Sequence, residues 1–221
     1  MGEPAVARLM TRQVITAVPD TPFRELVGTM IVHDLDALPV IDLAGRPVGV
    51  VTEVDALAKV EFHGGADYLP LLAGSRCRAR WRKSSGLTAA DLMTTPAMTT
   101  TADTPLTAAV HALATKGVRQ LFVVDSAGRL AGVLTRHDVL RLFLRSDSAI
   151  QADIERDTVV LVRGDRQIVV HVVHGVVTLQ GTLTLRSTTD NVCRVAQCVP
   201  GVVTVHNNLR YDVDDLMITG L

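Results

Sequence analysis

The chain has 221 residues, of which 48% are hydrophobic and 20% charged, so it can bury one or two cores and is not a disordered polymer. A net charge of −1 excludes a global electrostatic pull toward nucleic acid or anionic membranes; only a local patch could supply one. The longest apolar runs, such as Val159–Val162, are far short of a bilayer span.

The opening stretch MGEPAVARLMTRQ lacks the apolar core of a signal peptide and has Val6 where a myristoylation motif needs Ser or Thr. Cys77, Cys193 and Cys198 are odd in number and show no CxxC spacing, which fits a reduced, cytoplasmic protein.

In chain order, a short strand precedes a Thr21-Pro22 pair, where Thr21 is expected to cap a helix with proline at its first position. Phe23, Leu26, Val27, Met30 and Ile31 then follow helical spacing. Leu38–Ile41 and Val48–Val51 form two strands of a hairpin closed by a glycine turn. A second helix begins at Thr52 and runs toward Phe62.

The same order repeats 83 positions later without a gap. Leu9-Met10-Thr11 aligns with Leu92-Met93-Thr94, the Asp20-Thr-Pro run with Asp103-Thr-Pro, and GVVTEVD at Gly49 with GVLTRHD at Gly132. Thr104 is the corresponding expected cap, and Leu106, Ala109, Val110, Leu113 and Ala114 repeat the helical stripe. The second copy's last helix is expected from Thr135 past Leu144. Between the copies, five of the eight residues from Arg76 to Lys83 are basic, with Trp81 among them. They suit either a solvated linker, the plainer assignment, or an arm for phosphate-rich ligands or nucleic acid.

Beyond residue 146, SAIQADIERDTVVLV can form a helix and QIVVHVVHGVVTLQG two strands joined at His174-Gly175. A helix carrying Val192, Val195 and Ala196 and a strand in GVVTVHNNLRY come next, giving α-β-β-α-β with helices on one face of a three-stranded sheet. His171 and His174 are expected on opposite faces, which opposes a two-histidine metal site. No recognisable catalytic grouping recurs, so no enzyme is expected.

LMT, DTP, LPVID, AGR and GVVTEVD, matched by LMTTP, DTP, LFVVD, AGR and GVLTRHD, resemble a tandem pair of cystathionine-β-synthase-type (CBS) domains, a Bateman module. HGVVTLQGTL and VPGVVTVHNNL resemble a BON domain. The implied architecture is α/β (α+β): two β-α-β-β-α CBS units packed as a pseudo-twofold pair, then a small α-β-β-α-β BON domain. The segments are CBS domain 1 at 6–62, a basic linker at 63–88, CBS domain 2 at 89–146 and BON at 148–213.

Thr52 with Asp55, and Thr135 with Asp138, have the spacing of a capping box at a helix start. The resemblance implies a second role, in which each pair holds the ribose of an adenosine-containing ligand. The adenine would lie at Thr16, Ala37 and Pro39 in the first copy and at Thr100, Gln120 and Phe122 in the second. Asp34, Asp36 and Glu53 surround Asp55 in sequence, whereas Lys116, Arg119 and Arg136 surround Asp138. The second site is therefore expected to attract AMP, ADP or ATP, and the first to be empty or to take a less anionic adenosyl ligand.

The resemblance thus implies a non-enzymatic regulatory protein with no required cofactor, an adenine nucleotide as regulatory ligand, and a homodimer formed through the CBS pair. Its BON domain would meet an unknown protein partner or phospholipid. A structural module without nucleotide, or a nucleic-acid binder through 76–83, is the alternative, and nucleic acid the less expected partner.

Overall fold

The computed structural model describes residues 4–65, 74–162 and 168–216; part of the expected linker, 66–73, lies outside them. The chain divides into two compact units, Pro4–Arg136 and one running from His137 to Leu221.

In the first unit each repeat is built on a β-hairpin. Strands β1 (Ala37–Ile41) and β2 (Pro47–Thr52) pair antiparallel, with Ala37 opposite Thr52 and Pro39 opposite Val50. Strands β4 (Gln120–Val124) and β5 (Leu130–Thr135) repeat that register, with Gln120 opposite Thr135. Both turns use glycine at positive φ, 77° at Gly45 and 79° at Gly128, a region where a side chain would clash.

The strand expected ahead of the first helix exists in the second repeat as β3 (Thr99–Thr101), parallel to β4. In the first it shrinks to one parallel bridge, Ala17 to Val40. Because Thr100 faces Val123 as Ala17 faces Val40, the counterpart of Thr100 is Ala17, and Thr16 corresponds to Thr99. The pairing of Thr16 with Thr100 expected from sequence is thus one residue out of register.

Helices α1 (Phe23–Val32) and α5 (Leu106–Thr115) bury Leu26 and Met30, and Leu106, Ala109 and Leu113. Their expected threonine caps do not form. The N-cap positions fall on Pro22 and Pro105, one residue later, and neither carries a side-chain cap. Thr21 Oγ1 accepts instead from Val18 N at 3.0 Å, and Thr104 Oγ1 from Thr101 N at 3.3 Å, closing the preceding turns.

The segments that lead into the repeats are exchanged. Ala5 bridges to Pro105 and Thr11 to Val133, while Thr88 bridges to Pro22 and Thr94 to Val50. Ala89 and Leu92, on the short helix α4 (Ala89–Leu92), are buried in the first repeat's core with Leu26, Met30, Leu38, Val40 and Val51. Each repeat therefore completes its core with the other's lead segment, and neither can bury its apolar face alone.

The same exchange explains the glycine that opens each repeated phrase. A Cβ on Gly49 would lie 2.6 Å from Met93 Sδ, and one on Gly132 would lie 2.9 Å from the Thr11 carbonyl oxygen. The methionine-threonine of one repeat passes where the other can carry no side chain.

Helix α2 (Glu53–Glu61) follows β2, and helix α6 (Arg136–Leu140) follows β5. The second copy is shorter than its twin and gives way to a 3₁₀ turn at Arg141–Leu144. The basic segment is not a solvated coil: Ser75–Ser84 form helix α3.

The second unit holds α7 (Asp147–Thr158), β6 (Val169–Val173), β7 (Val176–Leu185), α8 (Arg186–Gln197) and β8 (Thr204–Val213), in sheet order β6-β7-β8. Ile150, Ile154, Val177, Leu179, Val192 and Ala196 form its core. The β6–β7 turn is at His174-Gly175, where both backbone N–H groups donate to Asp147 at 2.8 Å. Those donors, Gly175 first, hold the Asp147 carboxyl below the ordinary carboxylate range. Asp153 is lowered likewise, chiefly by its ion pair with Arg145.

Candidate functional site

At the first corner β2 is extended up to Thr52, and the chain then enters α2. Thr52 N and Oγ1 donate to Asp55 Oδ2 at 2.8 and 2.7 Å, and Asp55 N donates back to Thr52 Oγ1 at 3.4 Å. This is the reciprocal cap expected from the Thr-x-x-Asp spacing, and it satisfies donors the helix leaves open. Asp55 is only 7% exposed.

The second carboxylate oxygen is also in use. Lys83 Nζ, near the end of α3, lies 2.6 Å from Asp55 Oδ1 and donates to Thr94 Oγ1 at 2.7 Å. The ion pair is largely withdrawn from water, with side chains 15% and 10% exposed. Lys59 Nζ donates to the Ser84 carbonyl at 3.0 Å, placing a cation at the negative end of α3, and Arg80 pairs with Glu61 at 3.1 Å. The acidic surroundings expected from sequence are thus neutralised: Lys83 meets Asp55, and Arg119 meets Asp36 at 3.3 Å. Glu53 is exposed.

At the second corner Gln120 and Thr135 are opposed across β4 and β5. The Gln120 side-chain nitrogen is buried and has no hydrogen-bond partner among the described residues. Phe122 is 1% exposed, so its ring belongs to the core and only its backbone is left for a ligand. Thr100 Oγ1 donates to Thr104 Oγ1 at 3.0 Å.

Of the three bases expected to receive phosphate, two have partners away from the corner and Lys116 is exposed. Arg136 donates to the Val118 and Leu113 carbonyls at 3.0 and 3.1 Å, closing the end of α5, and Arg119 is held by Asp36. Sequence proximity to the motif placed these arginines near the site, but their guanidinium groups reach back to carbonyls and across to the other repeat. Asp138, the first acid of the second unit, has a side chain 9% exposed with Arg141 at 3.7 Å.

Among the sequence-derived residues, Ala37, Pro39, Thr52 and Asp55 are gathered at one end of the first hairpin, and Gln120 and Thr135 at the same end of the second. Thr16 lies elsewhere: it lines a cleft of about 440 Å³ at the turn end of the hairpins, with Arg12, Ile41, Gly45, Asp125 and Arg129. Sequence reasoning missed Lys83, Lys59 and Thr94. The dense basic run was the only signal, and it carried no indication of which base would turn inward.

The CBS domain family matches residues 6–61 and 89–145, and the BON domain family matches residues 146–212. The chain belongs to the CBS-domain family and ends in a BON domain. This tandem CBS protein is 28% identical over 156 residues to the chloroplastic CBS domain-containing protein CBSX1 of Arabidopsis thaliana, covering 65% of its own length and 66% of the relative's. It is 27% identical over 142 residues to protein MK0525 of Methanopyrus kandleri, covering 64% of each. The CBS protein therefore spans about two thirds or less of these relatives.

Among solved structures it is similar to Arabidopsis CBSX2 in complex with AMP, at 31% identity and a TM-score of 0.54, covering 63% of this chain and 96% of that one. The CBS domain pair of protein MJ0100, in complex with 5′-methylthioadenosine and S-adenosyl-L-methionine, shares the fold at 22% identity and a TM-score of 0.51, covering 64% and 97%. Among the described residues no helix of this CBS protein is long and apolar enough to cross a membrane, and no group of three His, Cys, Asp or Glu side chains is placed to hold a metal.

Proposed function

We propose that the CBS pair is a non-enzymatic sensor of an adenine nucleotide and that the BON domain passes the bound state to a partner. The second corner is the working site: Thr135 and Asp138 take the ribose diol, and the adenine lies against Gln120 and the backbone at Phe122. One observation carries this reading. The Gln120 amide nitrogen is a buried donor without an acceptor among the described residues, a costly arrangement that an adenine ring nitrogen would relieve. Similarity to an AMP-bound CBS pair supports the ligand class.

The test is calorimetric titration of AMP into the wild type and into Asp138→Ala and Gln120→Leu proteins. Each variant should bind at least 10-fold more weakly. Unchanged affinity in both would overturn the assignment, and no heat in the wild type would favour a structural module whose threonine-aspartate pairs only cap helices.

The homodimer proposed for the pair finds support in an apolar stripe on α2, where Val54, Leu57 and Val60 are 51%, 62% and 77% exposed. Leu57→Glu should shift the sedimentation coefficient from dimer to monomer. The nucleic-acid alternative is weakened because Lys83 and Arg80 face α2, which leaves Arg76, Arg78 and Arg82 as the exposed bases of α3. For the BON domain, Val169, His171 and Val173 on one face of β6 are exposed and available to a protein or lipid partner.

A further inference from the structure

Both carboxylate oxygens of Asp55 are engaged. Its Oδ2 accepts from Thr52 N and Thr52 Oγ1, and its Oδ1 accepts from Lys83 Nζ. A carboxylate offers about four lone-pair sites, so these three bonds leave one. A vicinal diol held in two-point fashion needs two.

The lysine is also held from its far side. Thr94, which accepts from Nζ, belongs to the lead segment of the second repeat and is fixed to β2 by paired backbone bonds with Val50 at 2.8 and 3.1 Å. The helix that carries Lys83 is seated by the Lys59 bond to Ser84, and Ser84 is fully buried. Ammonium and carboxylate thus form a largely dehydrated pair, with the exposed Thr94 at its edge, where a ribose would have to enter.

We propose that Lys83 is an internal occupant of the first site, so that α3 and an adenosyl ligand compete for Asp55. With α3 seated the first corner is closed, and a ligand that captures Asp55 frees the end of α3. This rests on reading Asp55 as a diol-binding group. It replaces the idea that the first site is weakened by repulsion: the two corners differ because one contains its own cation. Occupancy of the first site would be reported through the basic helix, whose outer arginines would change their presentation when its end is released.

The experiment uses the full chain in the Asp138→Ala background, which silences the second corner. AMP is titrated into Asp138→Ala, Lys83→Gln/Asp138→Ala and Lys83→Arg/Asp138→Ala proteins, with 2′-deoxyadenosine 5′-monophosphate as the ligand lacking a diol. Hydrogen exchange of the amides of 75–84 is monitored without ligand.

The glutamine variant is expected to bind AMP at least 10-fold more tightly than its parent, the arginine variant to remain closed, and the deoxynucleotide to show no gain. Exchange in α3 should rise in the glutamine variant even without nucleotide. Equal AMP affinity with and without Lys83, or a gain shared by the deoxynucleotide, overturns the proposal while leaving the second-site reading intact. If α3 loosens but none of the proteins, the wild type included, binds AMP, both the competition and the nucleotide reading fail, and Lys83 only pins a helix.

Discussion

The two threonine-aspartate corners are spelled alike and built differently. In the first, the carboxylate is shared between a helix cap and a lysine 28 residues further along the chain. In the second, Arg141 lies 3.7 Å from Asp138 and is 75% exposed, and the chain then turns into α7. The difference lies in the segment after each motif, a basic helix in one case and a short 3₁₀ turn in the other. A duplicated phrase therefore does not imply duplicated chemistry, because a short acidic side chain takes its character from whatever the next segment brings to it.

The contrast is broken most directly at the carboxylates. Asp55→Ala should cost about 3 kcal/mol, since it removes a cap and strands a largely buried ammonium. Asp138→Ala should cost about 1 kcal/mol, the scale of a lost cap beside an exposed arginine. Urea denaturation of both proteins gives the comparison, and equal losses would show that Lys83 contributes nothing at the first corner.

The glycines test the exchange of lead segments. At Gly132 an added methyl would meet the Thr11 backbone oxygen, which cannot move without breaking the bridge to Val133, so Gly132→Ala should cost about 2 kcal/mol. At Gly49 the obstruction is the thioether of Met93, which can swing aside, and Gly49→Ala should cost about 1 kcal/mol. Melting temperatures of the two variants should fall in that order.

The lead segments themselves are unequal. Asp91 accepts from Leu87 N and Thr88 N at 2.8 and 2.9 Å, whereas its counterpart in the first lead segment is Arg8, on an uncapped 3₁₀ turn. Those backbone donors, Leu87 first, hold the Asp91 carboxyl below its ordinary range. With the folded value depressed, the stabilisation is complete above about pH 4 and is lost as pH falls through the lowered value. Asp91→Asn should cost about 1 kcal/mol at pH 7, and its gap to the wild type should close as the pH falls below about 4. A gap that stays constant to low pH would remove Asp91 from the acid response.

The smallest effect is expected where the repeats face each other symmetrically. Asp36 and Arg119 occupy equivalent positions and pair across the repeats, but they are 54% and 69% exposed. Arg119→Ala should change stability by less than about 0.5 kcal/mol in 0.15 M salt.

Much of this organisation was legible in the order of residues. The repeat offset, the hairpins with their glycine turns, the capping box at Thr52 and the His174-Gly175 turn all depend on interactions spanning a few residues, and local sequence encodes those. Local sequence was less reliable at helix starts. Thr21 and Thr104 have the side chain of a cap, yet each closes the turn before the proline, because a hydroxyl can bond either the turn behind it or the helix ahead.

The sequence by itself determined that the chain holds two copies of one unit and a third, different domain, since periodicity and internal repetition are properties of the covalent order. Only the tertiary structure decided that each copy borrows the other's lead segment, that Arg136 reaches back to the Leu113 carbonyl while Arg119 meets Asp36, and that Lys83 reaches Asp55. Those outcomes depend on which side chains meet after collapse. A carboxylate or guanidinium has the same formula whichever partner it finds, so its role is set by distance and burial, which no short stretch of sequence contains.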